Sequence, residues 1–222
     1  MLFVNFKTYR EATGIRAVEL VRDLSLLQAK TGVPIIPVVQ ATDIRSCMIA
    51  TNYEVWAQHV DGVEQGQTTG WVTAEAVGEA GASGTFLNHS EHKIENVEIV
   101  NSKCKQIGLK TMIFAADLEE LRKVVELKPD FVAYEPPELI ASKDTSVAKA
   151  KPEVIEKAAK IAKAAGIPLI VGAGVKDVED VKACLRRQGS LRGGAVGVAV
   201  SSAVVLADDP KEVVAELVKG FK

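Results

Sequence analysis

Val132, Ala133 and Tyr134 run directly into Glu135, Pro136 and Pro137, so an apolar segment ends on a carboxylate backed by two prolines. Proline lacks an amide donor and keeps the residue before it out of helical geometry, which holds Glu135 extended at a strand tip. A carboxylate presented that way is placed to take or give a proton. Some fifteen residues follow before Pro152 opens a helical pattern. In compact domains, loops longer than about 12–15 residues usually act as lids or binding loops. Other groups able to do chemistry also sit at the ends of apolar runs. Asn5 and Lys7 follow the first run, Asn88-His89-Ser90-Glu91 the fourth, Gly174 the seventh, and Ser201 and Ser202 the eighth. A lysine, a histidine and a carboxylate together suit proton transfer beside a developing negative charge. A glycine with two serines suits a phosphate gripped by backbone amides and hydroxyls. Each residue also has a plainer reading. Lys7 could be a solvated cation, His89 a satisfied polar residue, and Glu91 a carboxylate favoured by a helix start. Gly174 could make a tight turn, and the serines could cap a helix. His89 and His92 flank Glu91 but lack a third ligand at useful spacing, so no metal is expected there.

The elements that must position these groups alternate between two patterns. Apolar, β-branched runs span Leu2 to Phe6, Pro34 to Val39, Glu54 to His59, Gly84 to Asn88, Lys110 to Ala115, Phe131 to Tyr134, Ile167 to Val171 and Ala195 to Val200. Several are apolar with little alternation, as expected of parallel strands buried on both faces. Between them, apolar stripes recur at helical spacing: Ala17, Leu20, Val21, Leu24 and Leu27; Val97, Val100, Cys104 and Ile107; Ile155, Ala158, Ala159, Ala162 and Ala165. Gly108 and Gly166 fit the position just past a helix, Pro152 fits a first turn, and Asp177 with Asp180 marks the start of the seventh helix. Strand and helix units averaging about 28 residues predict an α/β fold, an eight-stranded parallel (β/α)8 barrel over residues 1–222 as one catalytic domain. The competing architecture is a doubly wound sheet. It calls for a glycine-rich turn after the first strand, where Asn5-Phe6-Lys7-Thr8-Tyr9 has no glycine. In a barrel, strand C-termini face the active site, which brings Asn5, Lys7, His89, Glu91 and Glu135 to one end.

Composition removes other classes. The chain has 222 residues, 47% hydrophobic and 25% charged, with 27 basic against 29 acidic residues and a net charge of -2. No basic field points to nucleic acid or an anionic membrane, and no apolar run reaches the length of a membrane span or signal peptide. Cys47, Cys104 and Cys184 lack metal-ligand spacing and read as reduced helix-core residues of a cytoplasmic protein. No cofactor is expected.

In order along the chain stand Asn5-Phe6-Lys7, Asn88-His89-Ser90-Glu91, Ala133-Tyr134-Glu135-Pro136 and Gly172-Ala173-Gly174-Val175, each at the end of a predicted strand. With these motifs the sequence resembles the triosephosphate isomerase family along essentially its whole length, and its compact size and Glu-Pro-Pro-Glu-Leu-Ile segment resemble the short archaeal branch. The resemblance implies interconversion of dihydroxyacetone phosphate and glyceraldehyde 3-phosphate through an enediolate. It implies that Glu135 is the base, that His89 donates a hydrogen bond to the substrate oxygens, that Lys7 supplies fixed positive charge with Asn5 orienting it, and that Glu91 partners Lys7. His89 is expected at the start of the helix after the fourth strand, where the positive helix end keeps it neutral. Phosphate would be held by amides near Ile140 or Ala141 and at Gly174, Ser201 and Ser202. The sequence departs from common family forms at Ile140-Ala141-Ser142-Lys143, where a glycine-rich lid is usual, and at Ser201-Ser202, where paired glycines are usual. Val171 replaces a frequent tyrosine, and Phe114-Ala115-Ala116-Asp117 lacks a common cysteine. Gly66-Gln67-Thr68-Thr69-Gly70 resembles the loop by which family members enter a neighbouring subunit, implying a homo-oligomer, and a tetramer by likeness to the short archaeal branch. The alternatives are another phosphosugar isomerase or epimerase on the same barrel, or a noncatalytic phosphometabolite-binding protein.

Overall fold

β-Branched and apolar segments form strands β1 (Leu2–Asn5), β2 (Ile35–Val39), β3 (Trp56–Ala57), β4 (Gly84–Leu87), β5 (Lys110–Ala115), β6 (Phe131–Tyr134), β7 (Leu169–Val171) and β8 (Gly197–Val200). All pair in parallel with their sequence neighbours, and β8 pairs back onto β1, with Leu2 opposite Val198, so the sheet closes as a barrel. The computed structural model describes residues 1–136, 152–172, 174–185 and 194–222. The third run shortens to Trp56 and Ala57, and the seventh begins at Leu169 rather than Ile167. Ile167 instead closes the preceding helix, donating its amide to the Ala162 carbonyl.

Helices lie between successive strands, and capping residues mark their ends, among them the predicted Gly166 and Asp177 with Asp180 and the unpredicted Asp117. Asp117 caps the helix Leu118–Glu126, its carboxylate accepting from the Glu119 and Glu120 amides at 2.8 Å. Gly166 turns out of the helix Pro152–Ala164 in the left-handed region at φ 72°. Asp180 donates its amide to Asp177 Oδ1 at 2.8 Å where the helix Val178–Leu185 starts. Cys47, Cys104 and Cys184 are buried free thiols on helices, with pKa values pushed up to about 12 by burial.

Two apolar layers result. The outer layer joins the helices to the outward faces of the strands. The inner one fills the barrel with Phe3, Ile36, Val38, Trp56, Phe86, Met112, Phe114, Ala133 and Ile170. Aromatic rings carry most of this inner volume in edge-to-face and tilted contacts: Phe3 on Trp56 at 5.2 Å, Phe3 on Phe86 at 6.1 Å, and Phe86 on Phe114 at 4.8 Å. The next ring in the column is His89, edge-to-face on Phe114 at 4.8 Å. The packed core therefore leads without a break to the end of the barrel where the candidate groups gather.

Bulky interior residues require small ones opposite. A Cβ added to Gly84 would overlap the ring of Trp56, which is fully buried and cannot swing away. Replacing Gly84 with Ala should cost about 1–3 kcal/mol through overpacking, read as a lower urea midpoint at constant slope. An unchanged midpoint would show that the Trp56 ring shifts freely.

Candidate active site

Asn5, Lys7, His89, Glu135, Gly172, Gly174, Ser201 and Ser202 line one cavity of about 250 Å³ at the C-terminal ends of the strands. Tyr9, Phe86, Phe114 and Lys176 complete much of its wall. Glu91 lies just outside, where a second opening is lined by Lys7, Gln58, His89, Glu91 and His92. Ile140 and Ala141, named from sequence as phosphate-contacting residues, lie outside the described residues.

Glu135 leaves β6 with its amide donating to the Ala115 carbonyl at 2.9 Å, which fixes its backbone against β5. Its carboxylate is buried and reaches over Gly172; a Cβ there would stand 3.3 Å from Glu135 Oε1. The missing side chain at 172 thus makes room for the carboxylate. His89 Nε2 lies 3.2 Å from Glu135 Oε2, each side chain only 10% exposed. The amide of Glu91 donates to His89 Nδ1 at 3.2 Å. A nitrogen that accepts carries no proton, so the neutral ring holds its hydrogen on Nε2, the atom that faces Glu135.

Burial governs both groups. It raises the Glu135 carboxyl to about 8, against the opposing charge of Lys7 and with reinforcement from Glu91. It lowers His89 to about 4, where the pull of Glu91 is met by the push of Lys7 and Lys93. The Ser90 hydroxyl favours the ionised carboxylate, although neither Ser90 Oγ nor Glu135 Oε2 completes a well-formed hydrogen bond. A helix end contributes nothing to His89. Residues 88–96 form turns and an isolated bridge from His89 to His92, and the helix starts only at Val97. Its neutrality comes from desolvation, not from the expected dipole.

Lys7 is held by its surroundings in an unfavourable backbone state, at φ 46°. Its amide donates to Asn5 Oδ1 at 3.0 Å, its carbonyl accepts from Gln58 Nε2 at 2.9 Å, and Nζ bonds Glu91 Oε1 at 2.6 Å. Asn5 therefore acts on Lys7 through the backbone and Glu91 through the ammonium. Asn88 is also left-handed, at φ 60°, and is pinned by its side chain to the Phe114 carbonyl at 3.0 Å and to Glu120 at 2.8 Å. That anchor sets the turn carrying His89.

At the far end of the cavity, Gly174 turns at φ 68°, a conformation that favours glycine. Ser201 stands at the cap position of the short helix Ser202–Val205, but its hydroxyl caps nothing and is buried without a partner. The first amides of that helix have no acceptor within it. Free amides and an unspent hydroxyl at the cavity wall suit an anion. Sequence reasoning passed over Gln58, Glu120, Gly172 and Lys176, and placed Asn88 at its strand end without giving it a role. Gly172 and Asn88 stood inside quoted motifs, Lys176 directly follows one, and Gln58 and Glu120 carried no signal because their role depends on neighbouring strands.

A profile of the triosephosphate isomerase family matches residues 1–116 and 110–217. Curated triosephosphate isomerases are similar throughout. The protein of Methanocaldococcus jannaschii is 36% identical over 99% of both chains. That of Methanopyrus kandleri is 40% identical over 100% of this chain and 97% of its own. That of Metallosphaera sedula is 38% identical over 99% of this chain and 95% of its own.

The buried carboxyl has a consequence for stability. Between pH 4.5 and about 8 the native Glu135 keeps a proton that the unfolded chain has released, so stability falls as pH rises through that window. Glu135→Gln removes the buried charge. It should be more stable than the parent by on the order of 2–4 kcal/mol above pH 8, with the advantage fading towards pH 5. Urea unfolding at both pH values checks this, and a pH-independent difference would refute it.

Proposed function

The chain belongs to the triosephosphate isomerase family, and from that premise we propose that Glu135, His89 and Lys7 perform its interconversion of dihydroxyacetone phosphate and glyceraldehyde 3-phosphate, with residues 1–222 as one catalytic domain. The observation that carries the reading is the facing of a buried carboxylate and a neutral imidazole across 3.2 Å in a cavity that also reaches Lys7. Glu135 removes a proton from the carbon next to the carbonyl and returns it to the neighbouring carbon. A carboxylate deprived of water is a stronger base than one in solution. His89 donates from Nε2 to the oxygens of the enediolate as charge develops there. Because its ordinary protonation has been suppressed to about pH 4, it acts throughout as a neutral donor. Lys7 supplies fixed positive charge, Asn5 and Glu91 position it, and the amides of Gly174 and Ser202 with the Ser201 hydroxyl receive the phosphate. The buried donors need no reorganisation when the oxyanion forms, which is where such sites gain most of their effect.

A noncatalytic phosphate-binding role would leave the depressed histidine and the raised carboxyl without use. An epimerase on the same barrel would not call for this joint placement of lysine, histidine and carboxylate. We further propose a cytoplasmic homo-oligomer, a tetramer as in the short archaeal branch it resembles. In support, no helix of the described residues is long and apolar enough to cross a membrane, and residues Gly66–Trp71 form an exposed segment with Trp71 57% accessible.

A coupled assay should show triose phosphate turnover by the purified chain. His89→Gln should lower kcat by about 10²–10³-fold, and Glu135→Gln by about 10²–10⁴-fold. The acidic limb of kcat/KM should lie far above the ordinary carboxylate range, because the free base must lose a proton held to about pH 8. That limb should persist unmoved in His89→Gln. Turnover indifferent to both substitutions would refute the assignment. Sedimentation at micromolar concentration should give an assembly larger than a monomer, and a lone monomer would refute that part.

A further inference from the structure

The strand order brings the loop after β3 alongside the turn after β4, and with them three side chains the isomerase chemistry does not use. His59 Nε2 lies 3.1 Å from Asp61 Oδ1. The ring of His92 stacks on that of His59 with centroids 3.7 Å apart and planes inclined by 8°. One ligand atom from each of His59, Asp61 and His92 lies within 4.8 Å of the others. Among the described residues this is the trio of histidine and acidic side chains whose ligand atoms come this close together. His92 turns from His89 toward His59, so the trio is distinct from the His89, Glu91 and His92 grouping that spacing alone brings to mind.

We propose that His59, Asp61 and His92 form a binding site for a single divalent transition-metal ion of the zinc class. Two imidazoles and one carboxylate are a donor set that such ions take, with the remaining position left to water. Metal bonds of about 2.0–2.2 Å in tetrahedral array put ligand atoms roughly 3.3 Å apart, and the His59 to Asp61 separation is already close to that. The rings of His59 and His92 lie in parallel planes, so one ion cannot meet both in-plane lone pairs as they stand; His92 is exposed, and its ring turns out of the stack and closes by ~1.5 Å to complete the set. Asp61 is held in place for the task. Its second oxygen accepts the Val72 amide at 2.6 Å, and its own amide donates to the Val72 carbonyl at 2.7 Å. A ligand fixed by its own hydrogen bonds loses little freedom on binding. Access is open, since the three residues face a cavity of about 640 Å³ with Gln40, Gln58 and Trp71. Gln58 also bonds the Lys7 carbonyl, and His59 and His92 line the opening beside Lys7 and Glu91. A bound ion would add positive charge to the rim through which an anionic substrate enters.

Zn2+ should be titrated calorimetrically into the chelator-treated full-length protein, with bound metal counted after dialysis. One equivalent per chain is expected. His92→Ala removes an exposed ligand, and Asp61→Asn keeps an acceptor for the Val72 amide while discarding the charge. Each should weaken binding by at least about tenfold, while His89→Gln leaves it unchanged. Without added metal, His92→Ala should turn over triose phosphate as the parent does, and saturating Zn2+ should raise the melting temperature of the parent but not of His92→Ala. Absence of binding by the parent at millimolar Zn2+, or binding retained in His92→Ala and lost in His89→Gln, would overturn the proposal.

Discussion

At the C-terminal end of the barrel, Glu135 and His89 meet at 3.2 Å with each side chain only 10% exposed, and burial drives each toward its uncharged form. That desolvation is a cost to the folded protein and, in the proposed mechanism, the source of its chemistry. The same burial that weakens the native state at high pH makes the carboxylate a better base once it is ionised. It also keeps the imidazole neutral, with its single proton on the nitrogen that faces Glu135. The barrel interior serves this arrangement. Phe3, Phe86 and Phe114 stack beneath His89, so the ring rests on a packed column and not on solvent.

Charge near the pair is balanced by placement. Lys7 is drawn toward Glu91, whose carboxylate opposes it at both titrating groups. Lys7 pulls Glu135 down where Glu91 pushes it up, and the two act in opposite directions on His89 as well. The opposing effects leave burial in control of both groups. Lys7 still presents an ammonium to the cavity, and its left-handed backbone persists because Asn5 and Gln58 tie it on both sides. Strain held in place by such contacts is characteristic of functional positions.

Much of this is legible in the sequence. Eight apolar runs gave eight strands because parallel strands buried on two faces leave an unmistakable pattern in Val, Ile and Leu. Glu135, His89, Lys7, Gly174, Ser201 and Ser202 could be placed at strand ends, and closure of the sheet then brought them together. What the chain order hides is lateral contact. Gln58 follows β3 and acts on Lys7 after β1; Glu120 lies in a helix and anchors Asn88 after β4. The third member of the His59, Asp61 and His92 trio also belongs to a neighbouring strand's loop. The error over His89 has a related cause. Glu91 and the sequence after it read as a helix start, but Asn88 Oδ1 takes the amide of Ile94 at 3.4 Å and the His92 amide goes to the His89 carbonyl. Those local bonds spend backbone groups that a helix would have used, and the helix waits until Val97.

The two serines at the end of β8 show how a departure from a common family pattern can keep the same backbone donors. Glycine pairs at a phosphate site allow close approach of bare amides, which a side chain can obstruct. Here Ser201 takes φ -142° and ψ -98°, and Ser202 opens a helix of four residues. The first amides of that helix are left free by its geometry, whatever side chains it carries. Substituting serine therefore removes no donor from the backbone and adds the Ser201 hydroxyl, which is buried and uncommitted within the cavity wall. The proposed anion site depends on where the strand ends and the helix begins. Backbone freedom is required instead at Gly174, whose turn at φ 68° falls where a side chain is strained.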